Sequence, residues 1–150
     1  MRRAIELSVR NVDSGRGGPF GAVVVKDDEI VGEGANEVVA RTDPSAHAEV
    51  LAIRAACRKL NTFQLTGCDL YTSCEPCPMC MGLIYWARPK SVYYANTAAD
   101  AAGIGFDDAL IYRELALPNA QRSLQMQQLL REEALAAFEG WQKKPNKIPY

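Results

Sequence analysis

Leu70-Tyr71-Thr72-Ser73-Cys74-Glu75-Pro76-Cys77-Pro78-Met79-Cys80 runs from a short apolar stretch into a proline-marked helix start carrying two cysteines. Three positions separate Cys77 from Cys80, so in a helix their sulfurs share one face and reach one ion. Thirty positions upstream of Cys77, His47-Ala48-Glu49 opens another predicted helix, and His47 is the only histidine of the chain. Two thiolates and one imidazole leave the fourth tetrahedral position open for water. That is the pattern of catalytic rather than structural zinc.

Neither motif decides the matter alone. A His-x-Glu triplet is common, and a Cys-x-x-Cys at a helix start also suits a redox dithiol or half of a structural zinc site. A structural site needs a fourth ligand, for which the chain offers only Cys57, Cys68 or Cys74. Placement strengthens the metal reading. First helical turns present unpaired N–H groups and the positive end of the macrodipole, which lowers thiolate pKa. Glu49 follows His47 by two, off the ligand direction, and is better placed beside a water than on the ion.

Outward from these motifs, Ala4, Ile5, Val9 and Val12 form a helical stripe that Gly15 to Pro19 ends. Phe20 to Val25 and Glu29 to Gly34 flank Asp27-Asp28 and predict an antiparallel hairpin. Asp43-Pro44-Ser45 predicts a stop and an N-cap for a helix running to about Leu60. Leu70 to Thr72 predicts a short buried strand. Pro76 opens a helix with Met81, Leu83, Ile84 and Trp86 on its inner face, ending before Pro89. Ser91 to Ala95 predicts another strand, and helical stretches follow near Asp107 to Ala116 and Ser123 to Trp141. The last nine residues hold two prolines and no periodicity. This order implies one α/β domain over residues 1–150, a sheet covered by helices with a parallel strand pair in its middle.

The 150 residues are 48% hydrophobic and 23% charged, an ordinary soluble composition. A net charge of −1, with local basicity only at Lys143, Lys144 and Lys147, argues against a nucleic-acid partner. No apolar run is long enough to span a bilayer, and the first residues do not read as a secretory signal. Five cysteines, three of them within positions 74–80, argue for metal in a reducing cytoplasm rather than for disulfides.

Together, His47-Ala48-Glu49 and Pro76-Cys77-Pro78-Met79-Cys80 match the signature of the zinc deaminases. The chain resembles the cytidine-deaminase-like superfamily, and within it the bacterial guanine deaminases. The further residues that carry the likeness are Gly18-Pro19-Phe20-Gly21-Ala22, Asn36, Tyr85-Trp86-Ala87-Arg88, Gly105-Phe106-Asp107-Asp108 and the terminal Tyr150. The resemblance implies a three-layer α-β-α sandwich around a mixed five-stranded sheet. It implies one catalytic Zn2+ per subunit on His47, Cys77 and Cys80, and deamination of guanine to xanthine and ammonia. A zinc hydroxide would attack C2 while Glu49 shuttles the protons.

By the same resemblance, Asp108 joins Glu49 as a catalytic residue and accepts from guanine's N–H groups. Asn36 holds the base, and its amide can donate and accept along a purine edge. Phe20, Ala48 and Trp86 line the pocket. The tail, about residues 142–150, crosses to a partner in a domain-swapped homodimer, where Tyr150 closes the site. Simpler roles stay open: a loop-stabilising Asn36, core packing for Phe20 and Trp86, and helix capping for one of Asp107 and Asp108. A tRNA-adenosine, cytosine or nucleoside deaminase and a non-enzymatic zinc-stabilised binding module are the alternatives.

Overall fold

The computed structural model describes residues 1–149. These form two compact units, residues 1–109 and the residues from Leu110 onward. Among them, no helix is long and apolar enough to cross a membrane.

The first unit holds α1 (Arg2–Val12), β1 (Gly21–Lys26), β2 (Glu29–Ala35), the one-turn α2 (Val38–Arg41), α3 (Ala48–Leu60), β3 (Asp69–Cys74), α4 (Pro78–Ala87), β4 (Ser91–Asn96) and α5 (Ala98–Gly103). The strands lie in the order β2-β1-β3-β4. β1 is antiparallel to both neighbours, and β3 and β4 run parallel. A parallel pair needs a crossover, which α4 supplies. The predicted hairpin is present. Its turn places Asp27 and Asp28 at φ of +48° and +64°, the mirror-image geometry that matches strand twist in two-residue hairpins.

Side chains alternate across β1, and both faces are covered. Ala22 and Val24 face a core built with Ala48, Ala52, Ile53 and Ala56 of α3 and Ile84 and Ala87 of α4. Gly21 faces the other way, where a Cβ would come within 2.3 Å of the Ala4 carbonyl of α1. Helices therefore flank a mixed sheet on two sides.

The sheet has four strands, not the expected five. After Asn96 the described residues form helices and irregular chain only. The stretch with strand-like alternation, Leu124 to Gln128, pairs with no strand. It is also not the first part of a helix. In the second unit, α6 (Ala109–Ala116) is followed by a single 3-10 turn (Asn119–Gln121) and α7 (Arg131–Lys143). Leu130 takes φ +52° and so interrupts any helix running through it. Glu132 and Glu133 in the first turn favour a start at that point.

Two more expectations shift. Buried Cys80, Ile84 and Ala87, with Met81 and Leu83 partly buried, form the inner face of α4. Trp86 is 61% exposed on the outer side. The N-cap of α3 is His47, because Asp43 Oδ1 already accepts from the Ser45 amide (2.8 Å) and hydroxyl (2.7 Å) in a turn of their own.

Backbone-to-backbone approach fixes α3 on the sheet. A Cβ on Gly32 would meet the Ala52 carbonyl at 2.3 Å, and one on Gly34 would meet the Ala48 carbonyl at 2.3 Å. Gly34 thus sets the height of the helix turn that carries His47 and Glu49. Gly34→Ala is expected to cost about 1–3 kcal/mol in urea unfolding and to weaken zinc retention against a chelator. Wild-type stability with unchanged metal retention would contradict this placement.

Candidate metal centre and adjoining cleft

Two helices begin at the same point in space. His47 caps α3 at φ −71°, ψ 156°, and Cys77 caps α4 at φ −67°, ψ 168°. Both caps are extended residues whose carbonyls already accept the first helical bonds, from Leu51 (3.0 Å) and Met81 (2.9 Å). Pro78 follows Cys77 at the first helical position, where its missing N–H removes nothing. Cys80 lies one turn into α4.

His47 Nδ1 stands 3.6 Å from Cys77 Sγ and 3.6 Å from Cys80 Sγ. The three ligand atoms all lie within 4.8 Å of one another. A zinc ion with ordinary bonds of roughly 2.0–2.1 Å to nitrogen and 2.3 Å to sulfur, at tetrahedral angles, separates N and S by about 3.5–3.6 Å. The donor set fits the metal, and three protein ligands leave one position for water.

Electrostatics agree. Hydrogen bonding from Cys80, then from His47, holds the Cys77 thiol at about 4, so it is a thiolate at neutral pH. The hydrogen bond with Cys77 raises the His47 imidazole, and the Cys77 charge adds to the rise. Cys80 is pushed up, first by its hydrogen bond to Cys77 and then by burial. A divalent cation removes this competition for one proton, because it stabilises both sulfurs as thiolates.

Glu49, in the first turn of α3, is 6% exposed. Burial raises its carboxyl above the usual range, and the Cys77 thiolate adds to the rise. Asp108, half-buried, is likewise raised by burial and next by the Cys77 charge. Its neighbour Asp107 accepts from the Ala109 amide at 2.9 Å and caps α6.

A cleft of about 700 Å3 opens beside His47. Phe20 and Phe106 meet edge to face across it, centroids 4.9 Å apart at 87°. Val38, Val39 and Pro44 add apolar wall, and Asn36 supplies polarity. Asn36 Oδ1 accepts from the Gly18 amide (3.1 Å) and the Val38 amide (3.2 Å). Sequence permits this amide to donate and accept, whereas the fold uses up the acceptor and leaves the –NH2 to donate. Ala48 is fully buried between His47 and Glu49, and Trp86 is not among the residues lining this cleft. Tyr150 lies outside the described residues.

The residue reading did not single out Phe106 as a wall; its signal was Gly105, whose φ of +94° turns the chain before it. It also missed Glu75. That side chain accepts from the Ala98 amide at 3.0 Å and ties the cysteine loop to the start of α5, which leads to Phe106 and Asp108.

A carboxyl raised by burial stabilises the fold below its ordinary pKa, and that contribution is lost as pH rises through the raised value. Chelator-treated Glu49→Gln is therefore expected to melt above chelator-treated wild type at pH 8. The gap should reach at least about 2–4 °C and close toward pH 4. A gap that is constant with pH would contradict a buried, proton-holding Glu49.

Comparison with known proteins gives the same centre a family. Residues 1–96 match the cytidine and deoxycytidylate deaminase zinc-binding region. Guanine deaminase of Bacillus subtilis is 52% identical over 150 residues, covering 100% of this chain and 96% of the relative. A solved structure of that enzyme superposes with a TM-score of 0.96 over 99% of this chain and 95% of that chain. A tRNA-specific adenosine deaminase of Aquifex aeolicus is 43% identical, over 57% of each chain. A solved relative crystallised with 8-azaguanine is 38% identical, with a TM-score of 0.67 over 72% of this chain and 63% of that chain. The chain belongs to the zinc-dependent cytidine and deoxycytidylate deaminase family.

Proposed function

We propose that this protein hydrolyses guanine to xanthine and ammonia. The observation that carries the reading is the open His47–Cys77–Cys80 trio beside a buried Glu49 and the cleft that Asn36 and Phe20 line. Guanine deaminase is 52% identical over the whole chain with a TM-score of 0.96, whereas a solved tRNA:A34 deaminase that covers 91% of the chain is 29% identical with a TM-score of 0.64.

Zinc bound by His47, Cys77 and Cys80 supplies a Lewis acid that lowers the pKa of water in the site. Glu49 takes a proton from the attacking water, delivers it to a ring nitrogen and then helps protonate the departing amine. Its raised pKa suits it to hold that proton between steps. Asp108 accepts from the adjacent ring N–H and amino group of guanine. Asn36, restricted to donating, favours an edge that presents acceptors, as the 6-oxo group and N7 of guanine do; the 6-amino group of adenine offers a donor there. Phe20 and Ala48 bound the ring.

The remaining walls come from a second copy of the chain, in a cytoplasmic homodimer. Each unit presents apolar surface fit for a partner. Trp86, Tyr85 and Tyr94 are exposed on the first, while Leu124, Leu129, Leu130 and Phe138 are exposed on the second. The tail, about residues 142–150, crosses between subunits, with Tyr150 as the residue that closes the site.

Zinc-loaded protein given guanine, adenine, cytosine and cytidine in turn is expected to release ammonia from guanine alone. Ammonia from cytidine or adenine but not guanine would overturn the assignment. Glu49→Gln should retain zinc and lose about 10²–10⁴-fold in turnover. A chain ending at Trp141 should keep zinc and lose at least about tenfold; unchanged guanine turnover would remove Tyr150 from the pocket.

A further inference from the structure

Asn11 belongs to no motif, yet it is 3% exposed on α1 and every polar group of its side chain is engaged. Its Nδ2 donates to the Gly18 carbonyl at 2.7 Å and to the Asn36 carbonyl at 2.9 Å. Its Oδ1 accepts from the Ser14 hydroxyl at 2.9 Å. The two carbonyls belong to segments that wall the cleft, 18 positions apart in the chain.

Those segments are joined again on the cleft side. Gly18 N–H donates to Asn36 Oδ1, Phe20 N–H to the Gly18 carbonyl (2.9 Å), and Asn36 N–H to the Phe20 carbonyl (3.0 Å). The result is a closed ring of hydrogen bonds through Asn11, Gly18, Phe20 and Asn36. It has no slack: a Cβ on Gly17 would fall 2.2 Å from Asn36 Oδ1. Rotation of the Asn36 amide would set its –NH2 against the Gly18 and Val38 amides, two donors facing a donor. That arrangement is costly for buried groups.

We propose that Asn11 is a positioning residue for substrate recognition: it clamps the Gly18 and Asn36 carbonyls so that Asn36 presents only its donor –NH2 to the cleft. This rests on the guanine-deaminase reading above. Asn11 is neither in the ligand trio nor among the residues lining the cleft, so its effect falls on how well the base is held and not on the proton shuttle.

The test is a double-mutant cycle on zinc-loaded protein, reading KM and kcat for guanine, zinc content and melting temperature. Asn11→Asp keeps the shape but aims carboxylate oxygens at two carbonyls. KM is expected to rise about tenfold or more, with kcat within about threefold and zinc content unchanged. In an Asn36→Ala background the same change should move KM by less than about twofold, because the group it acts through is gone. An equal rise in both backgrounds, or a fall in melting temperature with KM unchanged, would overturn the proposal and leave Asn11 a packing residue. If Asn11→Asp does not fold, Ser14→Ala, which removes the hydroxyl that orients the Asn11 amide, carries the test. Its KM should rise by roughly threefold, and an unchanged KM overturns the proposal. Absence of guanine turnover by wild type is a separate result, against the parent reading.

Discussion

The convergence of two helix N-termini on one point is the constraint that the rest of the structure serves. α3 and α4 each begin with a ligand at the cap position, His47 and Cys77, and Cys80 follows one turn in. Two sulfurs and an imidazole within 4.8 Å have too few protons for comfort without a cation, as the opposite shifts of Cys77 and Cys80 show. The helix ends bear partial positive charge and so tolerate thiolates. Holding both helices at the required height needs the sheet to accept them closely. Gly32 and Gly34 allow that on β2 by offering no side chain against the carbonyls of α3.

Around this centre the proposed roles fall to groups in different electrostatic surroundings. Burial raises the carboxyls of Glu49 and Asp108, and the Cys77 charge adds to each rise; in the proposed function Glu49 carries protons and Asp108 accepts from the base. On the cleft, backbone amides of Gly18 and Val38 have already claimed the acceptor of Asn36. In the proposed function, specificity follows from a saturated hydrogen-bond account: a side chain with a spent acceptor can only donate.

Much of the first unit was legible in the sequence because its signals are local. The hairpin around Asp27-Asp28, the helices through Val50 to Leu60 and after Pro76, and the strand at Ser91 each depend on spacing and turn residues that neighbours in the chain supply. The ligand trio was legible because zinc chemistry demands those residue types, and the chain has a single histidine to offer. Site features that depend on distant partners were not legible. Asn11 acquires its role only when the chain returns with Gly18 and Asn36. Asp43 was read as part of a cap and spends its carboxylate on Ser45 instead. Trp86 was read as inner because its helix is apolar nearly all round, so periodicity could not tell one face from the other. The fifth strand came from likeness, and Leu124 to Gln128 finds no strand to join among the described residues.

The central claim is a catalytic zinc on three protein ligands with a fourth, exchangeable position. X-ray absorption at the zinc edge of the loaded protein tests it most directly. The account predicts two sulfurs at about 2.3 Å and two nitrogen or oxygen scatterers at about 2.0–2.1 Å, one of which is imidazole. A shell of three or four sulfurs, recruiting Cys74 or another cysteine and leaving no light atom besides imidazole, would make the site structural and contradict the account.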